Sequence, residues 1–505
     1  MLRPRRRGLA SVNAEVRDGI VPAAGALAKT RDVGPAGSGQ NYRIVALIIA
    51  SALFMEFVDA TVLATALPTM ARDFGVPAPT MSIALTSYLL ALAIFIPASG
   101  VLADRYGSRV IFRAAILLFM VGSLACGQAP TLEIIVVARF VQGIGGAMMI
   151  PVGRLVLLRS VAKKDMVDAM SWLLVPALIG PILGPPLGGF IVTYLDWRWI
   201  FYINLPVGLL GFWLVGRFIA NFREDHPPSF DVRGFFLSGI SLGSLLFGFE
   251  MLSHPGEGRA ALLLVAIGLV AGARYVAGAW RRKNAILDLG LLRDETFRLS
   301  VIAGSIMRIT QGAQPFLLPL MMQIGFGFSA ARSGSITVAT AIGSLAMKAF
   351  APRILRRFGF RRALIVNGVL AAAGYAVCGF FGPAWPLWGI FGVLVFAGFF
   401  MSFQFTAYNT IAYDGIDKRQ MSSATAFYST LQQLMLSLGI CIGALALHGA
   451  MLARGHAAPA PADFSTAFWI VTGLSLTATF WNLRFSDGAG REISGHGMPS
   501  DEAVD

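Results

Sequence analysis

The sequence predicts an all-α integral membrane protein with two related six-helix halves and two further helices inserted between them. Three observations lead to this prediction. Of the 505 residues, 56% are hydrophobic and 13% charged, with a mean hydropathy of +0.68, so polar groups cannot cover a water-exposed surface. Apolar runs of roughly 20 residues, the length that crosses a bilayer as a helix, recur along the chain. The two halves also share a pattern at a constant spacing.

The repeat is clearest in two charged turns between apolar runs. The turn at 100–109 reads Gly-Val-Leu-Ala-Asp-Arg-Tyr-Gly-Ser-Arg, and the turn at 352–361 reads Pro-Arg-Ile-Leu-Arg-Arg-Phe-Gly-Phe-Arg. Gly359 repeats Gly107 at an offset of 252 residues, and the same offset carries the first apolar run onto one that begins near Phe297. Two equal hydrophobic halves predict a transporter whose halves rock around a site near the bilayer midplane.

The apolar runs divide the chain into five parts and fourteen predicted spans. The parts are a basic tail (1–43), an N-terminal six-helix half (44–219), an inserted two-helix linker (220–296), a C-terminal six-helix half (297–485) and a second tail (486–505). The spans are 44–66, 80–101, 110–128, 133–155, 168–192, 199–219, 232–252, 260–280, 297–322, 331–351, 363–382, 386–411, 422–447 and 464–485. An even number of spans places both termini on one side of the membrane.

Charge placement predicts that this side is the cytoplasm. Most of the 41 Lys and Arg residues fall in the tails and in alternate loops, as the positive-inside rule requires. The net charge of +14 therefore predicts contact with anionic membrane lipids and not with nucleic acid. The predicted location is the inner membrane of a bacterium. The three cysteines lie inside apolar runs at no metal-ligand spacing, which predicts neither disulfides nor a metal site.

The turn at 100–109 is the first candidate functional motif. Gly100 and Gly107 permit a tight turn, and Asp104 can accept hydrogen bonds from a helix N-terminus or a guanidinium. Arg105 and Arg109 add positive charge on the cytoplasmic side. The turn is therefore either a gate element or a loop that only sets topology.

Glu56, Asp59 and Arg139 are ionisable residues far from the ends of predicted spans of the first half. Asp59 and Arg139 fall at similar depths, and intramembrane charges normally face the protein interior with a partner, so these two are candidates for an ion pair. Glu56 lies three residues before Asp59 on the same helical face, so the two acids can titrate as a coupled pair. The group predicts a proton-binding site, with a static polar network as the alternative.

Glycine and proline recur in the fifth predicted span, which reads Gly-Pro-Ile-Leu-Gly-Pro-Pro-Leu-Gly-Gly over 180–189. Three of the glycines share one helical face and permit close approach of another helix, whereas the prolines remove backbone hydrogen bonds and favour a bent helix. The motif consists of Gly180, Pro181, Gly184, Pro185, Gly188 and Gly189.

Polar residues inside the spans are candidates for contact with a substrate. By the repeat offset, Arg308 takes the place of Glu56, and Gln311 that of Asp59, so the two halves differ in chemistry. Arg308 is either an anion contact or a hydrogen-bonded packing residue. The candidate substrate contacts are Arg308, Gln311, Gln314, Gln142, Gln404 and Asn409.

Three of these motifs resemble signatures of the major facilitator superfamily. The turn at 100–109 is similar to the loop between the second and third spans of that family. The stretch at 139–147 resembles its buried-arginine motif, and 180–189 resembles the motif that marks its antiporters. The resemblance implies the major facilitator fold, and a cytoplasmic latch in which Asp104 meets the helix start near Ser422 and Ser423.

Two further stretches narrow the resemblance to the fourteen-span drug:proton antiporters. Residues 56–68 and 197–208 are similar to the first-span and sixth-span signatures of that branch, except that Ala64 stands where asparagine is usual. The branch implies export of small amphipathic organic compounds or drugs by alternating access, with the proton as coupling ion and no other cofactor.

The alternative is a transporter of the same fold for an anionic metabolite, which Arg308 favours. An enzyme is not expected, because the five His residues are scattered in or beside loops. The expected partners are a small-molecule substrate, protons and membrane lipids. We expect a monomer, and the sequence leaves a periplasmic adaptor and an outer-membrane channel open as further partners.

Overall fold

The computed structural model describes residues 42–161, 165–225, 229–252, 258–280, 282, 285–417 and 420–496. Most of the predicted N-terminal tail and the end of the C-terminal tail lie outside these residues. Apolar segments form long helices, as expected where backbone groups must be satisfied without water. In the first half the helices are α1 (Tyr42–Phe74), α2 (Ser82–Tyr106), α3 (Ser108–Gly127), α4 (Leu132–Ser160), α5 (Met166–Tyr194), α6 (Trp199–Tyr202) and α7 (Asn204–Phe218).

The inserted linker and the second half are also helical. The inserted pair is α8 (Val232–Met251) and α9 (Gly258–Ala279). The second half contains α10 (Glu295–Leu320), α11 (Ala330–Cys378), α12 (Leu387–Ile411), α13 (Met421–Arg454), α14 (Pro461–Leu476), α15 (Ala478–Asn482) and the short α16 (Arg491–Ser494). Helices thus cover all fourteen predicted spans. Among the described residues, eleven helices are long and apolar enough to cross a membrane, and α11 carries two predicted spans.

Polar side chains at the N-caps begin three of these helices. The carboxylate of Asp231 accepts from the backbone N–H of Gly234 at α8, and Asp294 accepts from Phe297 at α10. Ser329 accepts from the backbone N–H of Arg332 at α11. Each cap satisfies a donor that the first helical turn leaves unpaired.

The two repeat-related turns have the same backbone conformation. Gly107 separates α2 from α3 at φ 98°, and Gly359 bends α11 at φ 69°, a region that favours glycine. Each turn packs against the segment that follows the last predicted span of its half. Asn221 accepts from the backbone N–H of Arg109 at 3.1 Å, and Asp487 pairs with Arg361 at 2.6 Å. The guanidinium holds the pKa of Asp487 below its ordinary value.

The two turns define one end of the bundle, here called the motif end, and the opposite end, which carries Gly75 and Gly455, is called the far end. The halves contact each other towards the far end through α5 and α11. Thr193 of α5 accepts from the backbone N–H of Ala331 at 2.9 Å. The side-chain amide of Gln323 donates to the carbonyl of Thr65 at 3.0 Å. These contacts hold the halves together at the far end.

The inserted pair lies at a second contact between the halves. Helix α8 packs along α9 and also contacts α2 of the first half and α13 of the second half. Helices α2 and α13 contact each other directly, and Ser437 donates to the carbonyl of Thr86 at 3.4 Å. We call this contact of α2 and α13 the α2/α13 seam.

Candidate functional site

Asp59 occupies the centre of a buried polar cluster in the first half. Its side chain lies on α1 and is 1% exposed. Oδ2 lies 2.6 Å from Nη1 of Arg139, so the predicted ion pair is present. Oδ1 accepts from the side-chain amides of Gln142 and Asn204, both at 2.9 Å. Both carboxylate oxygens therefore have hydrogen-bond donors, as a buried acid requires.

Arg139 is held by groups from several helices. Besides Asp59, Nη1 donates to Oε1 of Gln142 at 2.6 Å, and Nε donates to the carbonyl of Ala84 at 3.3 Å. Its guanidinium also lies 4.4 Å from the ring centroid of Tyr88. The buried cation is thus balanced by one carboxylate, two oxygen acceptors and an aromatic face, as an intramembrane charge requires.

Two residues that the motif analysis did not single out complete this cluster. Ser123 of α3 accepts from Gln142 at 2.8 Å and from Asn204 at 2.9 Å. Asn204, the first residue of α7, lies inside the stretch 197–208 and supplies a hydrogen bond to Asp59. The sequence signal that could have identified both residues was a polar side chain within an apolar run. Asp59 therefore has hydrogen-bond donors even though Ala64 stands where asparagine is usual in the related antiporters.

Glu56 lies one turn before Asp59 and differs from it in hydrogen bonding. It is 4% exposed, and its Oε2 has no hydrogen-bond partner among the described residues. The hydroxyl of Tyr88 is likewise buried without a partner there. The two acids lie on one helical face, so their charges can interact. The cluster thus combines an acid that has a cation and amide donors with a neighbouring acid that has an unpartnered oxygen.

The turn at 100–109 makes its side-chain contacts within the first half. Asp104 lies 3.5 Å from Nη2 of Arg159, which also pairs with Glu224 at 2.6 Å. This partner differs from the helix start near Ser422 and Ser423 that the family resemblance implied. The Asp104 carboxylate does accept from a guanidinium, as expected, but this contact joins the end of α2 to the end of α4.

The two glycines of this turn have different roles. A Cβ on Gly107 would lie 2.3 Å from the Asn221 side chain, and its positive φ makes glycine the fitting residue. Gly100 lies inside α2 with open space around it, so it does not form the predicted tight turn. The backbone of Arg109 binds Asn221, whereas Arg105 lies beside the ring of Tyr106.

The glycine face of α5 packs on the helix that carries Asp59. A Cβ on Gly180 would lie 2.9 Å from Phe57, and on Gly184 or Gly188 it would overlap Thr61 or Thr65. This close approach is the one that the spacing of four predicts. The motif prolines Pro181 and Pro185 lie within α5, which continues as one helix through them.

The opposite side of α5 meets the second half. A Cβ on Gly189 would lie 2.4 Å from the carbonyl oxygen of Ala330, and a Cβ on Gly334 would lie 2.1 Å from the carbonyl oxygen of Pro185. Helix α5 therefore touches α1 on one face and α11 on the other. It is positioned to connect the Asp59 cluster with the far-end contact between the halves.

The polar candidates of the second half form two groups. Arg308 is 2% exposed, donates to Gln311 at 3.3 Å and lies 4.6 Å from the ring centroid of Phe405. No carboxylate among the described residues pairs with it. Asn409 accepts from Gln432 at 2.6 Å, and its own amide donates to the backbone carbonyl of Phe405, one helical turn away.

The other predicted substrate contacts lie elsewhere. Gln404 donates to the carbonyl of Leu364 at 2.9 Å and lines a small cavity inside the second half together with Tyr408. Gln314 lies 3.5 Å from Thr340. Gln142 is fully buried in the Asp59 cluster. No group of three or more His, Cys, Asp and Glu residues within the described ranges could hold a metal ion.

Comparisons with known proteins agree with this architecture. The sequence profile of the Major Facilitator Superfamily matches residues 49–440. "Probable transport protein HsrA" of Haemophilus influenzae is 36% identical over 443 residues, covering 88% of this chain and 95% of that protein. "Putative multidrug resistance protein MdtD" of Serratia proteamaculans is 36% identical over 405 residues, covering 79% of this chain and 83% of that protein.

Solved structures show the same fold at low sequence identity. A D-xylose-proton symporter superposes with a TM-score of 0.62 at 15% identity, covering 88% of this chain and 97% of its own. The nucleoside transporter NupG superposes with a TM-score of 0.60 at 14% identity, covering 88% and 100%. The fold and the buried site define a multi-pass membrane transporter and not an enzyme. The chain belongs to the Major Facilitator Superfamily, as its profile match and its relatives show.

Proposed function

We propose that the protein is a proton-coupled antiporter that exports small amphipathic organic compounds or drugs across the bacterial cytoplasmic membrane. The observation that carries this proposal is the buried Asp59–Arg139 ion pair beside Glu56. A buried acid whose partner is a fixed cation changes its interactions when it takes up a proton, because the neutral form no longer attracts the guanidinium. Proton binding can therefore shift the balance between two arrangements of the helices.

The chemistry at the cluster is a proton transfer to and from carboxylate oxygens. A proton that binds Asp59 forms an O–H bond and removes the negative charge opposite Arg139. Arg139 keeps Gln142, Ala84 and Tyr88 as neighbours, so it remains charged in the protonated state. Glu56, one turn along α1, shares or relays the proton. Release of the proton to the cytoplasm restores the ion pair and resets the carrier.

The proposed direction of transport, which is export, is based on the motif in α5 and on the names of related proteins. The stretch at 180–189 resembles the antiporter motif. Its glycines allow α5 to pack closely against α1 on one face and against α11 on the other. Relatives at 36–37% identity are named as multidrug resistance proteins. With both termini in the cytoplasm, the far end faces the periplasm and is closed by the α5–α11 contact. The substrate then enters between the halves from the cytoplasmic side.

The proposal is tested with purified protein in proteoliposomes. An imposed proton gradient should drive uptake of a cationic or neutral amphipathic drug into inside-out vesicles, and addition of the drug should release protons that a pH-sensitive dye detects. The matched control is the Asp59→Asn variant at equal abundance. Drug movement that ignores the proton gradient would refute the coupling, and no movement of any drug in the panel would refute the substrate class.

A transporter for an anionic metabolite is the second candidate. The observation that favours it is Arg308, a buried guanidinium of the second half with no described carboxylate partner. Such a cation can bind a carboxylate through paired hydrogen bonds. A panel of small carboxylates in the same vesicles separates the two candidates. Carboxylate transport that is lost in Arg308→Gln would favour the second candidate, whereas drug transport that is kept in that variant would favour the first.

A further inference from the structure

Glu250 is a buried acid that the preceding mechanism does not use. It lies near the end of α8, in the inserted pair, and is 2% exposed. Its Oε1 accepts a hydrogen bond from the hydroxyl of Ser82, the first residue of α2. Its Oε2 accepts from Sγ of Cys441 on α13 at 3.2 Å. One carboxyl group of the inserted pair therefore binds both halves at once.

This carboxyl group lies in the α2/α13 seam towards the far end. One turn deeper, the Ser437 hydroxyl donates to the carbonyl of Thr86. Leu90 and Leu246 form a buried apolar cluster with Cys441 beside it. An ionisable group costs free energy in such surroundings, so a residue of this kind inside a membrane helix points to a function.

Helices α8 and α9 have no counterpart in the repeat, so the two-half architecture does not by itself require Glu250. Its hydrogen bonds nevertheless span the surface along which the halves must move. Opening of the far end separates α2 from α13 and removes at least one of the two donors. The carboxyl group is thus placed where its protonation and the separation of the halves affect each other.

We propose that Glu250 is a second proton-binding carboxyl of the transporter, and that its ionised form holds the α2/α13 seam closed. This inference rests on the proposed proton coupling. In the closed seam both oxygens act as acceptors, which suits a carboxylate. When the far end opens, a proton from water forms an O–H bond with one oxygen, and that oxygen becomes a donor. On closure the proton returns to water and the two hydrogen bonds re-form.

The elements that pack here carry further polar and titratable groups. From α13 the thiol of Cys441 faces Glu250, and His448 lies seven residues further along the same helix. From α2 the facing group is the Ser82 hydroxyl. Arg259 is exposed near the start of α9. Histidine is the residue type that ordinarily changes charge near neutral pH, so a His448→Gln variant is included.

Alkylation of Cys441 by N-ethylmaleimide measures the opening of the seam without requiring transport. Cys441 is fully buried, as is Cys378 inside the second half, which serves as an internal control. The full-length protein in lipid vesicles is labelled at about pH 8 and about pH 6, a range over which a carboxyl group buried in an apolar environment can gain a proton. Mass spectrometry of the Cys441 peptide gives the rate. Each rate is divided by that of the unfolded protein at the same pH, since the thiolate is the reactive form.

We expect the corrected rate at Cys441 to rise about tenfold from the higher to the lower pH, the smallest change expected from weakening one hydrogen bond to a charged group. Glu250→Gln should label at the fast rate at both pH values. Ser82→Ala keeps the acid but removes one donor, so it should label faster than the wild type at the higher pH. Glu133→Gln, an exposed acid at the far end, and His448→Gln should behave as the wild type does.

A pH-independent rate in the wild type would overturn the inference, and so would an unchanged pH dependence in both Glu250→Gln and Ser82→Ala. A pH dependence lost in His448→Gln would also overturn it, because the imidazole would then be the sensor. The outcome is separable from the proposed function. Labelling that follows this pattern without proton-driven transport would contradict the antiport proposal and leave the Glu250 seam standing, whereas the reverse result would contradict Glu250 alone.

Discussion

At the scale of single residues, the chemistry of the first half depends on how differently two acids on one helix turn are surrounded. Asp59 has a cation and two amide donors, whereas an oxygen of Glu56 has no described partner. Two carboxylic acids on one helix turn can therefore differ in role because their surroundings differ.

The first prediction concerns Asp59. We expect Asp59→Asn to abolish uphill export, because an amide cannot exchange a proton near neutral pH and leaves Arg139 without its counter-charge. Breaking a buried ion pair costs about 3–5 kcal/mol, but the retained contacts of Arg139 with Gln142 and Ala84 should keep the protein folded. Proton-driven efflux and the melting temperature of the purified protein check this prediction.

Glu56→Gln is the matched control for that experiment. It removes an acid from the same helix without breaking an ion pair, so its effect on export should be smaller. Export by Asp59→Asn at the wild-type rate would contradict the assignment of Asp59 as the principal proton carrier. Complete loss of export in Glu56→Gln alone would transfer that role to Glu56.

The second prediction concerns Asp104 at the motif end. Its contact with Arg159 is 3.5 Å long and partly exposed, so it should contribute about 0.2–1 kcal/mol. We expect Asp104→Asn to keep membrane abundance and to lower transport by a few-fold, because a weak contact can shift the population of a gate. Arg159→Gln also breaks the closer contact with Glu224, so its effect should be larger. Equal transport in all three proteins would contradict a gating role.

At the scale of helices, α5 connects the two candidate regions of the molecule. Its glycines allow the backbone to approach α1 on one face and α11 on the other, and both contacts are too close for a methyl group. A shift of α5 against one of these neighbours must therefore change its contact with the other neighbour. This arrangement gives a physical route between the Asp59 cluster and the far-end contact.

The third prediction tests the contact between α5 and α11. Gly334→Ala would place a Cβ 2.1 Å from the carbonyl oxygen of Pro185, so the far end could not close as it does here. We expect transport to fall by at least about tenfold while the helices still form, because alanine favours a helix more than glycine does. Efflux assays and circular dichroism check both parts.

Gly392→Ala on α12 provides the control for that prediction, since a Cβ there meets no atom within 4 Å. It should leave transport unchanged and leave stability unchanged or slightly raised. Wild-type transport in Gly334→Ala would show that the α5–α11 contact does not limit the cycle.

The helices and their sites could be predicted from the sequence to different extents. Apolar runs and the offset between Gly107 and Gly359 were sufficient to predict the helices and the matching turns, because both signals are local or periodic. The Asp59–Arg139 pair followed from the cost of an unpaired intramembrane charge. The hydrogen bond from Asn204 to Asp59 and the location of Gln404 could not be predicted in this way, because they depend on which helices are neighbours.

At the scale of the whole molecule, the inserted pair is more than a spacer between halves. It packs on α2 and α13 and supplies Glu250 to the seam between them. The halves therefore meet at two sites towards the far end, one through α5 and α11 and one that includes the inserted helices. A motion of the halves that opens the far end would therefore have to change both contacts.

The last prediction concerns topology, which follows from the number of spans and the placement of charge. Fourteen crossings put both termini in the cytoplasm, where most Lys and Arg residues then lie. Reporter fusions at Gly39, which lies outside the described residues, and at Gly495 should give cytoplasmic signals, whereas a fusion at Ala458 between α13 and α14 should give a periplasmic signal. Fusion in the linker between α8 and α9 tests the inserted pair separately, since a periplasmic signal is expected there only if both helices cross the membrane. A periplasmic signal from Gly39 or Gly495 would contradict the fourteen-span topology.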